Sequence, residues 1–344
     1  CTMESSDLKG IIPTSARMQQ EIHASHRRSQ RYGVSREERN ENQQKLSPTE
    51  LQDRKERSKD LLKVVVNLID EFYQLLSPDE FMVAFVDSDG YILHLAGSES
   101  VKIQFADRNC APGYRWTEKD VGTSAISICL LKQFSIQLND RDHYCKRAHG
   151  FTSSAAPIFG KNDIFQGVLV VSGASKMIHP HTLIMITMAA RSIEKHMRLL
   201  RRNQEMSLYT GFLDRVIESA ETGLMTLDTE MRIWKTNQKG KQILKQQHIE
   251  GKPISVLKGL NINLKELQKS PAKWKEQEVS LQINNEKVHF YYTARPVTSK
   301  KNELLGAVMV FEEFSDIRKL ADRISGTEPI FTFDMLIGNS KPFR

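Results

Sequence analysis

The sequence predicts an α+β protein: two antiparallel-sheet units joined by long helices, preceded by a helical segment. Three observations predict it. Two pairs of β-rich runs turn on short polar tripeptides, Ser88-Asp89-Gly90 and Asp228-Thr229-Glu230, which are hairpin signals. Each pair is followed by helix-compatible sequence and then by further β-rich runs, the order of a sheet with helices packed on it. Between the two groups the apolar spacing changes from two residues to three and four.

Residues 1–76 read as helix with polar breaks. Arg17 to Tyr32 is charged and helix-compatible, with Gly33 as its stop. Ser47 caps a second helix that has Pro48 at its first position. Leu61, Leu62, Val65, Leu68, Ile69, Phe72 and Leu76 then mark one helix face. The first sheet unit spans 77–180. Its runs are Phe81 to Asp87, Tyr91 to Leu95, Gln133 to Leu138, Phe151 to Phe159 and Phe165 to Ser172, with a loop-rich stretch from Ala96 to Asp120 and a helix from Gly122 to Leu131. A linker helix fills 181–214, where Ile186, Ala190, Ile193, Met197 and Leu200 step by four and three. That seam suits either a dimeric coil or packing on the unit's own sheet. The second unit spans 215–313. It has runs at Gly223–Leu227, Met231–Thr236, Glu278–Ile283, Lys287–Arg295 (across the turn Asn284-Asn285) and Leu304–Glu312, and helices at Gln238–Gln247 and Asn263–Lys269. A short linker helix is predicted over 314–328, and 329–344 begins a further segment.

The 344 residues are enough for roughly two or three domains, each with its own core. Apolar content of 39% and charged content of 26% are those of ordinary globular protein. No apolar run is long enough to span a membrane, and the N-terminus lacks the basic-then-apolar pattern of a secretory signal. A cytoplasmic protein without membrane contact is therefore expected. Four cysteines with no CxxC pair point to reduced thiols. The net charge of +7 comes from interleaved acids and bases, so it does not mark a nucleic-acid surface.

Catalytic motifs are wanting. Gly167 to Ser175 is the nearest stretch to a phosphate-binding loop, but it has the wrong glycine spacing and Ala174 where a lysine is required. His143, Cys145 and His149 are close in sequence, yet His143 and His149 would oppose each other on a helix and Cys145 alone adds too few ligands. Residues 215–315 contain no cysteine for a flavin adduct, and neither His248 nor His289 has a haem-ligand context. No metal, no cofactor and no enzymatic activity are expected. Binding is the remaining chemistry.

Four patches carry a resemblance. Trp116-Thr117-Glu118-Lys119-Asp120-Val121-Gly122-Thr123-Ser124-Ala125-Ile126 is similar to the W-x-E-x-x-x-G-T-N-A-I stretch of the GAF domain in activators of acetoin and dihydroxyacetone catabolism. Ser153-Ser154-Ala155-Ala156-Pro157-Ile158 and Gly167 to Gly173 resemble that family's C-S-A-A-P-I and G-V-L-D-I-S-G strands, and Ser25-His26-Arg27-Arg28-Ser29 resembles its S-W-x-R-S opening. The second unit is similar to a PAS domain, with Asn237 at the strand-to-helix corner. Ile330 to Ser340 resembles the entrance to the AAA+ ATPase of sigma-54-dependent activators. His26, Ser124, Ser153 and Val170 depart from the family pattern, which has Trp, Asn, Cys and Asp there.

The resemblance implies the ligand-sensing region of a sigma-54-dependent transcriptional activator, GAF followed by PAS. Its implied partners are a small-molecule effector, a second copy in a homodimer and, for the full-length protein, sigma-54 RNA polymerase and enhancer DNA. The GAF-pocket candidates are Trp116, Glu118, Thr123, Asp142, His143, Ser153 and Ser154; the PAS candidates are Trp234, Asn237 and Tyr292. Two other readings stay open. One is the input region of a sensor histidine kinase, although Ile317 to Ile324 contains no histidine; the other is a protein-interaction module with filled interiors.

Overall fold

The computed structural model describes residues 12–37, 43–75, 80–283 and 286–313. The segments expected at 314–328 and 329–344, and the Asn284-Asn285 turn, lie outside the described residues. Nine α-helices and ten strands are found among those described. The chain divides into two compact units, 1–205 and 206–344. The fold is α+β, with one antiparallel sheet in each unit.

The first unit opens with α1 (Ser15–Arg31), α2 (Pro48–Arg57) and α3 (Lys59–Leu75). Local chemistry sets their ends. The Thr14 hydroxyl accepts from Arg17 N to start α1, and Gly33 with φ +73° closes the turn after it. Ser47 and Glu50 form a reciprocal capping box at α2, behind Pro48. Then come β1 (Phe81–Asp87), β2 (Ile92–Ala96), α4 (Glu99–Ala106), α5 (Glu118–Val121), α6 (Ala125–Lys132), β3 (Ile136–Asn139), β4 (Phe151–Phe159) and β5 (Phe165–Ala174). The long helix α7 (Pro180–Glu218) contains the boundary between the units.

All pairings in the first sheet are antiparallel, in the order β2-β1-β5-β4-β3. Both faces are covered, which is why its strands read as nearly continuous apolar runs rather than as alternating ones. Val83, Phe85, Ala156, Ile158, Leu169 and Val171 pack with α3 and α7. Their neighbours Met82, Ala84, Val86, Ala155, Val168 and Val170 pack with α4, α6 and Ile22 of α1. Each wholly buried Phe, Leu or Ile here contributes about 1.5–3 kcal/mol. The N-terminal helices therefore pack on this sheet.

Three local expectations change. The stretch from 96 to 120 holds α4 and α5, which are too short for periodicity to reveal; α4 buries only Val101 and Phe105 and is started by the Ser98 cap. Strand β3 begins at Ile136, because Gln133 takes the left-handed conformation that ends α6. The 186–200 seam packs at Ile186, Ala190 and Ile193 on the unit's own sheet.

The second unit contains β6 (Gly223–Leu227), β7 (Ile233–Thr236), α8 (Gln238–Ile243), α9 (Leu264–Lys269), β8 (Gln277–Ile283), β9 (Glu286–Thr298) and β10 (Leu304–Glu313). Its order, β7-β6-β10-β9-β8, repeats that of the first sheet. One face buries Met225, Leu227, Phe290, Ala294, Met309 and Phe311 under α8, α9 and the intervening turns. Gly306 bends the start of β10 at φ +149°, where a Cβ would overlap the Leu227 carbonyl oxygen. Among the described residues no helix is long and apolar enough to cross a membrane.

Candidate functional site

The Trp116–Ile126 stretch builds one wall of a cavity in the first unit. Trp116 is fixed at both ends: its backbone N–H donates to Gly90 O at 2.7 Å, and its indole N–H donates to Asn109 O at 2.9 Å. Asp120 is buried and held by Arg115 through two hydrogen bonds of 2.9 and 3.1 Å. Gly122, at φ +74°, ends α5; any side chain there would strike the Tyr144 ring. The chain then turns into α6, whose N-terminus is closed by a reciprocal Ser124–Ser127 box.

Two adjoining hollows, an outer and an inner lobe, share Arg108, Trp116, Ser124, His143 and Ala148 as walls. The outer lobe, of about 70 Å³, also touches Val34, Thr123 and Cys145. The inner lobe, of about 40 Å³, is bounded by Met82, Phe105, Phe151, Ser153 and Ser172 and is nearly all apolar. At its floor Ser172 Oγ donates to Ser153 Oγ at 2.7 Å.

The expected pocket residues separate by role. Trp116, Thr123, His143 and Ser153 line one or both lobes. Glu118 does not: it turns to α1, only 6% exposed, and accepts two Arg28 N–H bonds at 2.7 Å and the Ser25 hydroxyl at 2.5 Å. Thr123 shares that junction: its Oγ1 lies 3.0 Å from Ser25 Oγ, which accepts there because its own hydrogen goes to Glu118, and 3.2 Å from Ser29 Oγ. Ser25, Arg28 and Ser29 are spaced three and four apart and so share one face of α1. The two sequence patches around Ser25 and Glu118 are thus the two sides of one polar interface. Arg28 also pairs with Glu21, and its guanidinium is held charged well above its ordinary range, chiefly by the Glu118 hydrogen bonds.

Ser154 lies on the other face of β4 from Ser153. Strand side chains alternate, so Ser154 shares a face with Ala156, against α3 and α7, and accepts from Gln137 Nε2 at 2.8 Å. Asp142 is a structural group: its carboxylate accepts from Asn139 N, and its carbonyl accepts from His26 Nε2 at 2.9 Å. His143 is 3% exposed, and burial pushes its pKa down to about 4, so the imidazole is neutral. Its Nδ1 faces Asp140 O at 3.2 Å. A carbonyl only accepts, so Nδ1 carries the proton and Nε2 presents a lone pair.

In the second unit Trp234 stands on the outer side of β7, 77% exposed, and lines no interior. Asn237 is wholly buried, with its amide saturated: Oδ1 accepts from Leu224 N and Gly240 N, and Nδ2 donates to Ile217 O and Thr222 O. It closes the α8 start and has nothing left for a ligand. Tyr292 packs in the core beside Phe311, where burial raises its phenol pKa.

Sequence reasoning missed Arg108, Ser124, Cys145, Arg147 and Ser172 as cavity residues. Ser172 was legible, since it is two residues from Val170 on the same side of β5. Cys110 and Cys129 lie in the core with thiols pushed up by burial, Cys110 to about 12. Among the described residues no group of three or more His, Cys, Asp or Glu could hold a metal ion.

No family model matches the chain. A signal-transduction and transcriptional-control protein of Clostridium beijerinckii is 21% identical over 291 residues, covering 84% of this chain and 46% of that protein. The acetoin dehydrogenase operon transcriptional activator AcoR of Bacillus subtilis is 28% identical over 174 residues, covering 51% of this chain and 29% of that protein. A chain of the Escherichia coli DhaR(N)–DhaL complex superposes with a TM-score of 0.73 at 16% identity, covering 84% of this chain and 98% of that one. The chain resembles a bacterial transcription regulator's sensory region. It spans less than half the length of these curated relatives, and the structural likeness is one of fold.

Proposed function

We propose that the chain is the ligand-sensing regulatory region of a sigma-54-dependent transcriptional activator, with the first sheet as a GAF-like receptor over 77–180 and the second as a PAS-like unit over 215–313. The observation that carries the reading is the two-lobed cavity beneath Trp116 and His143, built by the residues that resemble the family's sensory motif. Val34, three residues after α1, walls its outer lobe, and α1 is fastened to the same motif through Glu118 and Thr123. An effector that binds the docked and undocked states of α1 with different affinity shifts their populations, which is what a sensor requires.

The regulated output in this reading is an AAA+ ATPase that follows the Phe331–Ser340 motif, acting on sigma-54 RNA polymerase from enhancer DNA. The test has two parts. The parent polypeptide should carry a GxxxxGK[ST] loop beyond residue 344, and its ATPase rate should change with a compound that raises the melting temperature of this chain. A parent without that loop, or with a rate indifferent to every such compound, removes the reading.

The implied homodimer has support along α7. Leu199, Met206, Tyr209, Leu213 and Val216 follow a heptad spacing and are all exposed. A second copy of α7 would cover them. A second functional reading, docking of a protein on this region, is favoured by the DhaR(N)–DhaL complex, where the matched fold occurs with another protein. Compounds that shift the melting temperature support the sensor; a silent screen together with a copurifying protein that masks the region supports docking.

A further inference from the structure

The cavity's polar groups specify more than a small ligand. His143 Nε2 makes no hydrogen bond among the described residues and, with Nδ1 protonated, offers only a lone pair. Whatever meets it must donate, as a hydroxyl does. Arg108 and Arg147 both line the outer lobe. Arg108 spends Nε and Nη1 on the carbonyls of Arg147 and Gln104, at 3.1 and 2.6 Å, and lies over the Phe151 ring at 4.7 Å. Arg147 spends one N–H on Asp107 O at 3.3 Å. Carbonyls satisfy donors but do not neutralise charge, and among the described residues neither arginine has a carboxylate partner. The one acid in the cavity wall, Asp120, is already held by Arg115 and Thr117.

We propose that this cavity takes a small hydroxycarboxylate, its hydroxyl donating to His143 Nε2, its carboxylate against Arg108 and Arg147, and its short carbon chain in the inner lobe among Met82, Phe105 and Phe151. The proposal rests on the sensing reading above and narrows it to a ligand class. Size agrees. At about 10–15 Å³ for each water-sized sphere, lobes of about 70 and 40 Å³ hold roughly eight non-hydrogen atoms. Paired guanidiniums match a carboxylate fork better than a single ammonium would. A neutral imidazole, rather than an imidazolium, completes a site that distinguishes a hydroxy acid from its deoxy analogue, because the analogue has no hydrogen to give the Nε2 lone pair.

The test is calorimetric titration of the whole 344-residue chain with 2-hydroxybutyrate, with butyrate lacking the hydroxyl and with 1,2-butanediol lacking the charge. The hydroxy acid should bind about tenfold or more tightly than either control. Arg108→Gln should weaken the hydroxy acid about tenfold more than it weakens the diol. Arg147→Gln, at an exposed position, repeats the test independently of folding. Tighter binding of the diol overturns the ligand class and leaves the sensing reading intact. Equal binding of butyrate removes the role given to His143. Absence of binding by all three overturns the class, and the sensing reading falls with it only if a broad neutral screen is silent as well.

Discussion

Replacing Glu118 by glutamine should release α1 from the first unit while leaving the sheet folded. Glu118 is 6% exposed and takes two hydrogen bonds from Arg28 and one from Ser25. The amide keeps the shape but loses the charge and one of the acceptor oxygens. Removing one partner of a fully buried ion pair costs about 3–5 kcal/mol. Arg28 is partly solvated and retains Glu21, so the loss should be nearer about 2–3 kcal/mol. That corresponds to roughly a 30- to 150-fold larger open fraction of α1. Amide hydrogen exchange over Ser15–Arg31 reads that fraction directly, with β1 and β5 amides as an internal control for global unfolding. A cycle with Arg28→Gln should show a coupling of similar size. Exchange in α1 that is unchanged, or that rises equally in the sheet, would refute the assignment of Glu118 to helix docking.

His143 gives a pH prediction. Its folded pKa is lowered by burial from 6.5 to about 4, so the unfolded chain binds the proton first as pH falls. Stability contributed by the neutral imidazole is present above about pH 6.5 and is lost towards pH 4, by up to about 3 kcal/mol; His143→Gln should flatten that slope in denaturant titrations followed from pH 7 to pH 4. Gly306→Ala should destabilise the second unit by about 3 kcal/mol or more, since it combines a left-side φ with overlap onto Leu227 O, and a melting curve as steep and as high as wild type would exclude the clash. Met206→Glu with Leu213→Glu should convert a dimer into a monomer in sedimentation analysis if α7 pairs with its copy, and an unchanged mass would exclude that face.

The elements legible in the sequence were those whose signal is local. The hairpins at Ser88-Asp89-Gly90 and Asp228-Thr229-Glu230, the α2 cap at Ser47-Pro48 and the Gly33 stop each depend on a few adjacent residues. Period-two reasoning could also have separated Ser153 from Ser154 and turned Trp234 outward beside Ile233. What local signal cannot give is a partner far along the chain. Glu118 lies beside Trp116 in sequence, yet its charge is answered by Arg28 of α1, ninety residues away. The cavity arginines follow the same logic: Arg108 and Arg147 come from separate loops and meet only when the sheet is formed. The seam of α7 was ambiguous because a helix packed on its own sheet and a helix in a coil share one spacing; the sheet decided at Ile186, Ala190 and Ile193.

In the proposed function the first unit responds when a compound fills its cavity. Ala148 lines both lobes, so Ala148→Phe should occlude them with little cost elsewhere. A thermal-shift screen run on the wild-type chain and this variant side by side is the most direct measurement. Compounds that raise the wild-type melting temperature should lose that effect in Ala148→Phe. Compounds that stabilise both proteins equally, or none that stabilise the wild type, would contradict the proposed function.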